Sequence, residues 1–447
     1  MFSRLSLTIS GSHANHTLEP PSVITMRHLY TLLLYLGLPL VLARLYWRSL
    51  KNPAYRRRLP ERFGRLDLPA VRGSLWLHTV SVGETQAAEP LVRRLQKQFP
   101  ELPIVITTTT PTGSERVKKL FGDSVIHCYF PYDLPFAINA FLKRLQPRLL
   151  VMMETEVWPN LLALCERNAI PTVLANARLS EKSARGYARL GPFTHDTFGR
   201  IGLVAAQSPA DAERFLGLGV ASDRVRVTGS IKFDIRLPAS LKEQAEALRR
   251  TWDGRPVWVA ASTREGEDEQ VLDAHRQVLK SLPEALLVLV PRHPERFDKV
   301  ASLCQREGFF LVRRSADQLC DSCTQVLLGD TMGELTLFLA AADIAFVGGS
   351  LVATGGHNVL EPAALGLPVV FGPHMFNFAM ISRMLLAEGA ALEVTSAAAL
   401  AGVVSDWLSD ASLRARFGEN GLRVVEANRG ALERLFDIIK EYLETVG

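Results

Sequence analysis

The sequence predicts an α/β protein built from two successive doubly wound domains with parallel sheets. Three observations carry this. The chain has 447 residues, more than one hydrophobic core usually serves. Short apolar runs alternate with amphipathic helical stretches, the pattern of parallel strands covered on both faces. The alternation breaks once, near Leu237-Pro238, and then begins again.

In the first half the strand-like runs are Ser74 to Thr79, Pro103 to Thr108, Val125 to Tyr129, Leu149 to Met153, Thr172 to Asn176, Gly202 to Ala206 and Val225 to Thr228. In the second they are Val257 to Ala261, Leu286 to Val290, Gly308 to Val312, Val326 to Gly329, Ile344 to Val347 and Pro368 to Phe371. The expected division is an extension at 1–25 that is non-native or disordered, an anchor at 26–50, a first Rossmann-like domain at 51–236, a second at 237–425, and a terminal helix at 426–447 that returns to the first domain. Residues 1–25 are polar and aperiodic, and Met26 is the expected translation start.

From Leu29 to Ala43 no residue is charged. Fifteen helical residues reach roughly 22 Å, short of a hydrocarbon core of about 30 Å. Leu45, Tyr46 and Trp47 lengthen the segment, with Arg44 snorkelling and the aromatic residues at the interface. A buried core helix and a cleaved signal peptide are the competing readings; no A-x-A site follows. The reading is an anchor, spanning or partly inserted. Lys51, Arg56, Arg57, Arg58, Arg62 and Arg65 follow it against the single acid Glu61. Such a basic run beside an apolar segment points to a membrane surface rather than nucleic acid, and places the body on the cytoplasmic side. The five cysteines form no disulfide framework. Cys320-x-x-Cys323 lacks the further ligands a zinc site needs.

Candidate chemistry sits on turns after strands, where open parallel sheets hold ligands. Val80-Ser81-Val82-Gly83-Glu84 places Glu84 on a first helical turn, as a general base or simply as a partner of the helix dipole. Glu154-Thr155-Glu156-Val157-Trp158-Pro159-Asn160 sets two carboxylates at a strand end, or else a capped helix start. Arg178, after the next strand, can meet a carboxylate or phosphate. In the second half Ser262 and Thr263 open a helix suited to an anion, and Arg292 and His293 share an edge between two prolines. Gly348 to Pro373 holds paired glycines that permit close backbone approach, Gly356 among them. Asn358 and Glu361, three apart on a helix, share a face; a carboxylate there can accept from a ribose diol. No D-x-D occurs, so arginine, histidine and helix amino termini are expected to stabilise a leaving phosphate, with no metal and no cofactor.

VSVGE, ETEVWPN, NARLS, TGSIKFD, PRHPERF, GDTMGEL and GGHNVLEP occur in that order. This set is similar to that of the bacterial 3-deoxy-D-manno-octulosonic acid (Kdo) transferases of lipopolysaccharide assembly, from about Met26 to the carboxyl terminus. The resemblance implies a GT-B fold, CMP-Kdo as donor, the lipid A precursor lipid IVA as acceptor, and the inner membrane as location. It implies Glu84 as catalytic base, Glu154 as a second active-site carboxylate, and Arg178 and Lys232 as substrate-binding. Ser262, Thr263, Arg292, His293, Met332, Gly333, Gly356, Asn358 and Glu361 would form the CMP side. A GT-B transferase using a UDP-sugar on another lipid is the nearest rival. A nucleotide-sugar epimerase would share the fold, and a noncatalytic nucleotide-sensing scaffold would keep the glycine turns without Glu84.

Overall fold

A computed structural model describes residues 21–445. The chain forms two compact units, 1–231 with 432–447, and 232–431. The first carries a seven-stranded sheet of β1 (Ser74–His78), β2 (Ile104–Thr108), β3 (Ile126–Tyr129), β4 (Pro147–Met153), β5 (Thr172–Ala177), β6 (Leu203–Ala206) and β7 (Val225–Val227). Their order is β3-β2-β1-β4-β5-β6-β7, and every pairing is parallel. β1, β2 and β5 are buried throughout, which is why they read as unbroken apolar runs rather than alternating ones. Trp76 of β1 anchors this core, 4.6 Å from the Phe141 ring and hydrogen-bonded through its indole N–H to Thr107.

The second unit repeats the plan with β8 (Val257–Thr263), β9 (Leu286–Pro291), β10 (Leu311–Arg313), β11 (Val326–Leu328), β12 (Ile344–Val347), β13 (Val369–Phe371) and β14 (Ala391–Glu393). The order is β10-β11-β9-β8-β12-β13-β14, again all parallel. β14, three residues at a sheet edge, is too short and too exposed to leave a hydrophobic signature. Each sheet has one place where the strand order reverses: between β1 and β4 in the first, between β8 and β12 in the second. Helices leave opposite faces there, so the carboxyl ends of those strands open a crevice.

Residues 432–447 belong to the first unit. The helix Ala431–Thr445 is held there by Arg94 on Glu433, by Arg226 on Glu441 at 3.2 Å, and by Arg434 on the Thr228 carbonyl at 2.9 Å.

The amino-terminal helix runs Pro21–Lys51, beginning ahead of Met26, and the rest of the expected extension lies outside the described residues. The basic run that follows divides in two. Arg56, Arg57 and Arg65 are exposed, as a surface-docking run requires. Arg58 and Arg62 turn inward instead. Arg58 pairs with Glu61 at 2.6 Å and donates to the His127 carbonyl at 2.7 Å; Arg62 is 5 % exposed and donates to the Thr109 carbonyl. Both stack on Tyr129. Two of the six cations therefore hold the fold together, Arg62 buried and Arg58 partly so.

Candidate active site

In the first unit the reversal point gathers β1 and β4 side by side, His78 in register with Met152. Glu84 and Glu154 follow the ends of those two strands, so the sheet itself brings them to one crevice. The helix Val82–Gln98 starts with Ser81 as its cap, the hydroxyl oxygen accepting from the Glu84 N–H at 3.4 Å. The Ser81 hydroxyl donates to Glu84 Oε1 at 2.9 Å, and the Val80 N–H donates to Oε2 at 2.8 Å. Burial nevertheless dominates, pushing the Glu84 carboxyl up to about 7 against those two hydrogen bonds, with Glu154 and Glu156 adding repulsion. A half-buried carboxylate that titrates near neutrality is suited to accept a proton.

Glu154 lies in the left-handed region at φ 57°, where few residues other than glycine settle. Its carboxylate meets Arg178 at 3.6 Å, so these two predicted residues form a pair. Glu156 accepts from the Trp158 indole at 2.9 Å. Fully buried His78 aims Nε2 at Glu156 from 3.7 Å, while its Nδ1 is bonded to Thr107 and its ring stacks on Phe130. His78 carried no sequence signal, since a histidine closing an apolar strand reads as core. Lys232 opens the second unit on the short turn Ile231–Phe233.

In the second unit the reversal point lies between β8 and β12. Ser262 (φ 62°) and Thr263 end β8. The Thr263 side chain is fully buried and donates to Asp268 at 2.6 Å, and its carbonyl accepts from the Arg292 N–H at 3.1 Å and from the Arg296 guanidinium at 2.9 Å, so Thr263 holds the Arg292 turn in place. Glu267, fully buried, is the residue sequence reasoning passed over. Its carboxylate accepts from the backbone N–H groups of Arg264, Gly349, Ser350 and Leu351 at 2.6–3.1 Å. It thereby ties the β12 loop to the end of β8. A Cβ on Gly348 would lie 2.8 Å from the Ser262 carbonyl and 2.9 Å from that carboxylate, so only glycine passes there.

Arg264 lies at the centre of a cationic group. It donates to Nε2 of His357 at 3.1 Å and contacts Nε2 of His293. Burial followed by Arg264 lowers both histidines, His357 to about 4, so they stay neutral at pH 7. Arg264 is itself lowered, by burial and then by Arg292 and Arg296. Of the nearby acids, Glu267 is spent on amides and Asp268 on Arg296. Glu295 stands 3.8 Å from His293 at the exposed rim, and the Arg264 and Arg292 guanidinium groups with the two neutral imidazoles offer donors to an anionic ligand.

Asn358 Nδ2 donates to Glu361 at 2.9 Å, at the start of the helix Leu360–Ala364, as the spacing predicts. Burial raises the Glu361 carboxyl. Glu361 and Gly333 (φ 96°) also line an 870 Å³ cavity with Arg314, Glu334 and Leu337, within the size range of ligand sites. Met332 is 67 % exposed beside it. Gly356 has φ 73°, and a Cβ there would strike the Met375 sulfur at 2.2 Å.

Comparison with known proteins gives the family and the fold. Residues 57–235 match the family model "3-Deoxy-D-manno-octulosonic-acid transferase (kdotransferase)", and residues 264–424 match "Glycosyl transferases group 1". The chain is 48 % identical over 423 residues to the 3-deoxy-D-manno-octulosonic acid transferase of Haemophilus influenzae, covering 94 % of this chain and 99 % of that one. It is 38 % identical to that of Bordetella pertussis, covering 93 % and 99 %. Among solved structures, Staphylococcus aureus MnaA with UDP is similar in fold, with TM-score 0.53 and 14 % identity over 83 % of this chain and 97 % of that one. The two parallel-sheet units are Rossmann-like domains of a GT-B glycosyltransferase, and the chain belongs to the 3-deoxy-D-manno-octulosonic acid transferase family.

Proposed function

We propose that this transferase moves Kdo from CMP-Kdo to the lipid A precursor lipid IVA, with Glu84 as the base, by direct inverting displacement. The observation that carries the reading is Glu84 itself, a carboxyl held near pH 7 at a sheet reversal point, with Glu154 and Arg178 paired beside it. Glu84 takes the proton of an acceptor sugar hydroxyl. The hydroxyl oxygen bonds to the anomeric carbon of Kdo as the bond to the CMP phosphate oxygen breaks, and the electron pair leaves with CMP. Arg178 suits the Kdo carboxylate and is partly neutralised by Glu154 until it binds; Lys232 is assigned to the same substrate.

Arg264, Arg292 and His293, on the turns that follow Ser262 and Thr263 and the end of β9, are the groups for the CMP phosphate; the next helix begins only at Asp268, behind the Glu267 carboxylate. They act as preorganised charge and hydrogen-bond donors. Asn358 and Glu361 suit the ribose hydroxyls, with Met332, Gly333 and Gly356 shaping the surrounding wall. The acceptor's phosphates and acyl chains call for a membrane surface, proposed as the cytoplasmic face of the inner membrane. The exposed Arg56, Arg57 and Arg65 serve that surface.

The test is to incubate purified protein with CMP-Kdo and lipid IVA and weigh the lipid products. Mass gains of whole Kdo units are expected, and none with UDP-sugars in place of CMP-Kdo. Transfer from a UDP-sugar alone would replace this donor, and binding of CMP-Kdo without any product would favour a scaffold.

A further inference from the structure

We propose that the amino-terminal helix does not cross the bilayer but lies in the plane of one leaflet, tied to the first domain near its start and just beyond its end. Its apolar stretch, Met26–Leu50, is long enough by composition to span. Its contacts argue otherwise.

Near its start the helix is bonded into the domain. The Tyr30 hydroxyl donates to Asp133 at 2.9 Å, and Thr31 donates to Asn160 at 3.1 Å. Asp133 is 4 % exposed and also accepts from the backbone N–H groups of Asn160 and Leu161, so this is the interior of the domain's surface layer. Tyr30 packs on Phe193 and Tyr35 on Phe136, and Phe136 stacks in turn on Phe63. Beyond its end the chain is fastened to the same domain, by Arg58 on β3 through the His127 carbonyl. From Tyr30 to Lys51 the helix covers about 32 Å. Were it to span, one of these ends would stand across a core of about 30 Å. The seven residues from Asn52 to Arg58 reach at most about 24 Å when fully extended, and they include a tight helical turn. They cannot recross.

The two faces of the helix agree with this. Arg27, Tyr30, Thr31, Leu34, Leu38, Leu42 and Leu45 are half-buried and recur at helical spacing on one side. Directly opposite, Leu29, Leu36, Leu40 and Trp47 fall on one line, exposed by 46, 66, 75 and 68 %. That line is apolar, and no acidic residue occurs between 21 and 60. Arg44, Arg48, Arg56 and Arg57 are all exposed, which complements an anionic phospholipid surface. An apolar face with a basic flank, lying flat, is the arrangement of an interfacial helix. The purpose of such a helix rests on the membrane-bound acceptor proposed above; its test does not.

Nitroxide labels placed singly at Leu29→Cys, Leu36→Cys, Leu40→Cys and Trp47→Cys, in full-length protein carrying Cys320→Ser and Cys323→Ser, read this directly. An inward label at Leu38→Cys completes the set, and each variant is first matched to the parent by its thermal transition. The protein is added to vesicles of phosphatidylglycerol and phosphatidylethanolamine, and relaxation by oxygen and by a water-soluble nickel chelate gives depth. The four outward labels are expected at one shared shallow depth, about 5–10 Å into the headgroup boundary, with the inward label shielded from both relaxants. A depth that rises to the bilayer centre near 36 and 40 and falls again at 29 and 47 would overturn the proposal in favour of a span. Outward labels that stay open to the nickel chelate with vesicles present would overturn it as well. Neither readout involves donor, acceptor or turnover, so it is independent of the assigned reaction.

Discussion

The carboxylate of Glu84 accepts two hydrogen bonds that favour its charged form, yet burial, with Glu154 and Glu156 behind it, outweighs them. Because its value lies near 7, the proton-accepting form is lost as the pH falls through that point. We expect kcat/KM to drop about tenfold per pH unit below about 7, and Glu84→Gln to lose 10²–10⁴-fold with a flat acid limb. A pH–rate series on both proteins checks this, and an unchanged acid limb in Glu84→Gln would remove the residue from the role of base. Glu267 invites a different measurement. A Gln there keeps the size but sets an NH₂ group against backbone N–H donors. We expect a loss of roughly 1–3 kcal/mol, seen as a lower Tm, together with weaker CMP binding in calorimetry. The sequence exposed Glu84 through its place after a glycine turn. It hid Glu267, because a glutamate before a helix reads as decoration until its four amide partners, most of them more than eighty residues away, are brought up to it.

Among the elements, the strands with continuous apolar runs were legible to within a residue or two, since burial on both faces leaves a signal that needs no partner. β10 and β14 are the counterexamples. The first starts three residues later than the apolar run suggests, and the second left no run at all. The basic run after the amino-terminal helix was legible as charge but not as direction. Arg58→Ser should lower stability, because it strips β3 of a buried-side donor and breaks the Glu61 pair. Arg56→Ser with Arg57→Ser should leave the Tm unchanged and weaken vesicle binding by about 1 kcal/mol per residue at low salt. Sedimentation with anionic vesicles at two salt concentrations separates the two cases. Equal Tm losses in both variants would mean that all three arginines are structural.

For the whole molecule, the chain leaves the first unit at Ile231 and returns to it at Leu432. Truncation after Gly430 should therefore destabilise the first unit and spare the second, although the deletion adjoins the second in sequence. Hydrogen exchange read by peptide would show protection lost around β6 and β7 and kept around β8 and β9. Loss confined to the second unit would contradict the division.

The sequence by itself determined the class of fold, the two-part plan and the turns on which chemistry sits. These follow from local patterns of burial and from glycines that mark strand ends. Its ordered motifs also pointed to the family that the relatives then established. Tertiary structure decided which charges are spent on the fold and which remain for a ligand. It placed Glu84 with Glu154, and Ser262 with the Gly348 loop, through a strand order that no neighbouring residues encode. It also showed both flanks of the amino-terminal helix fastened to one domain. The physical reason is common to all of these. Hydropathy and charge are written residue by residue, whereas desolvation, pairing and direction exist only between residues that the fold has brought together.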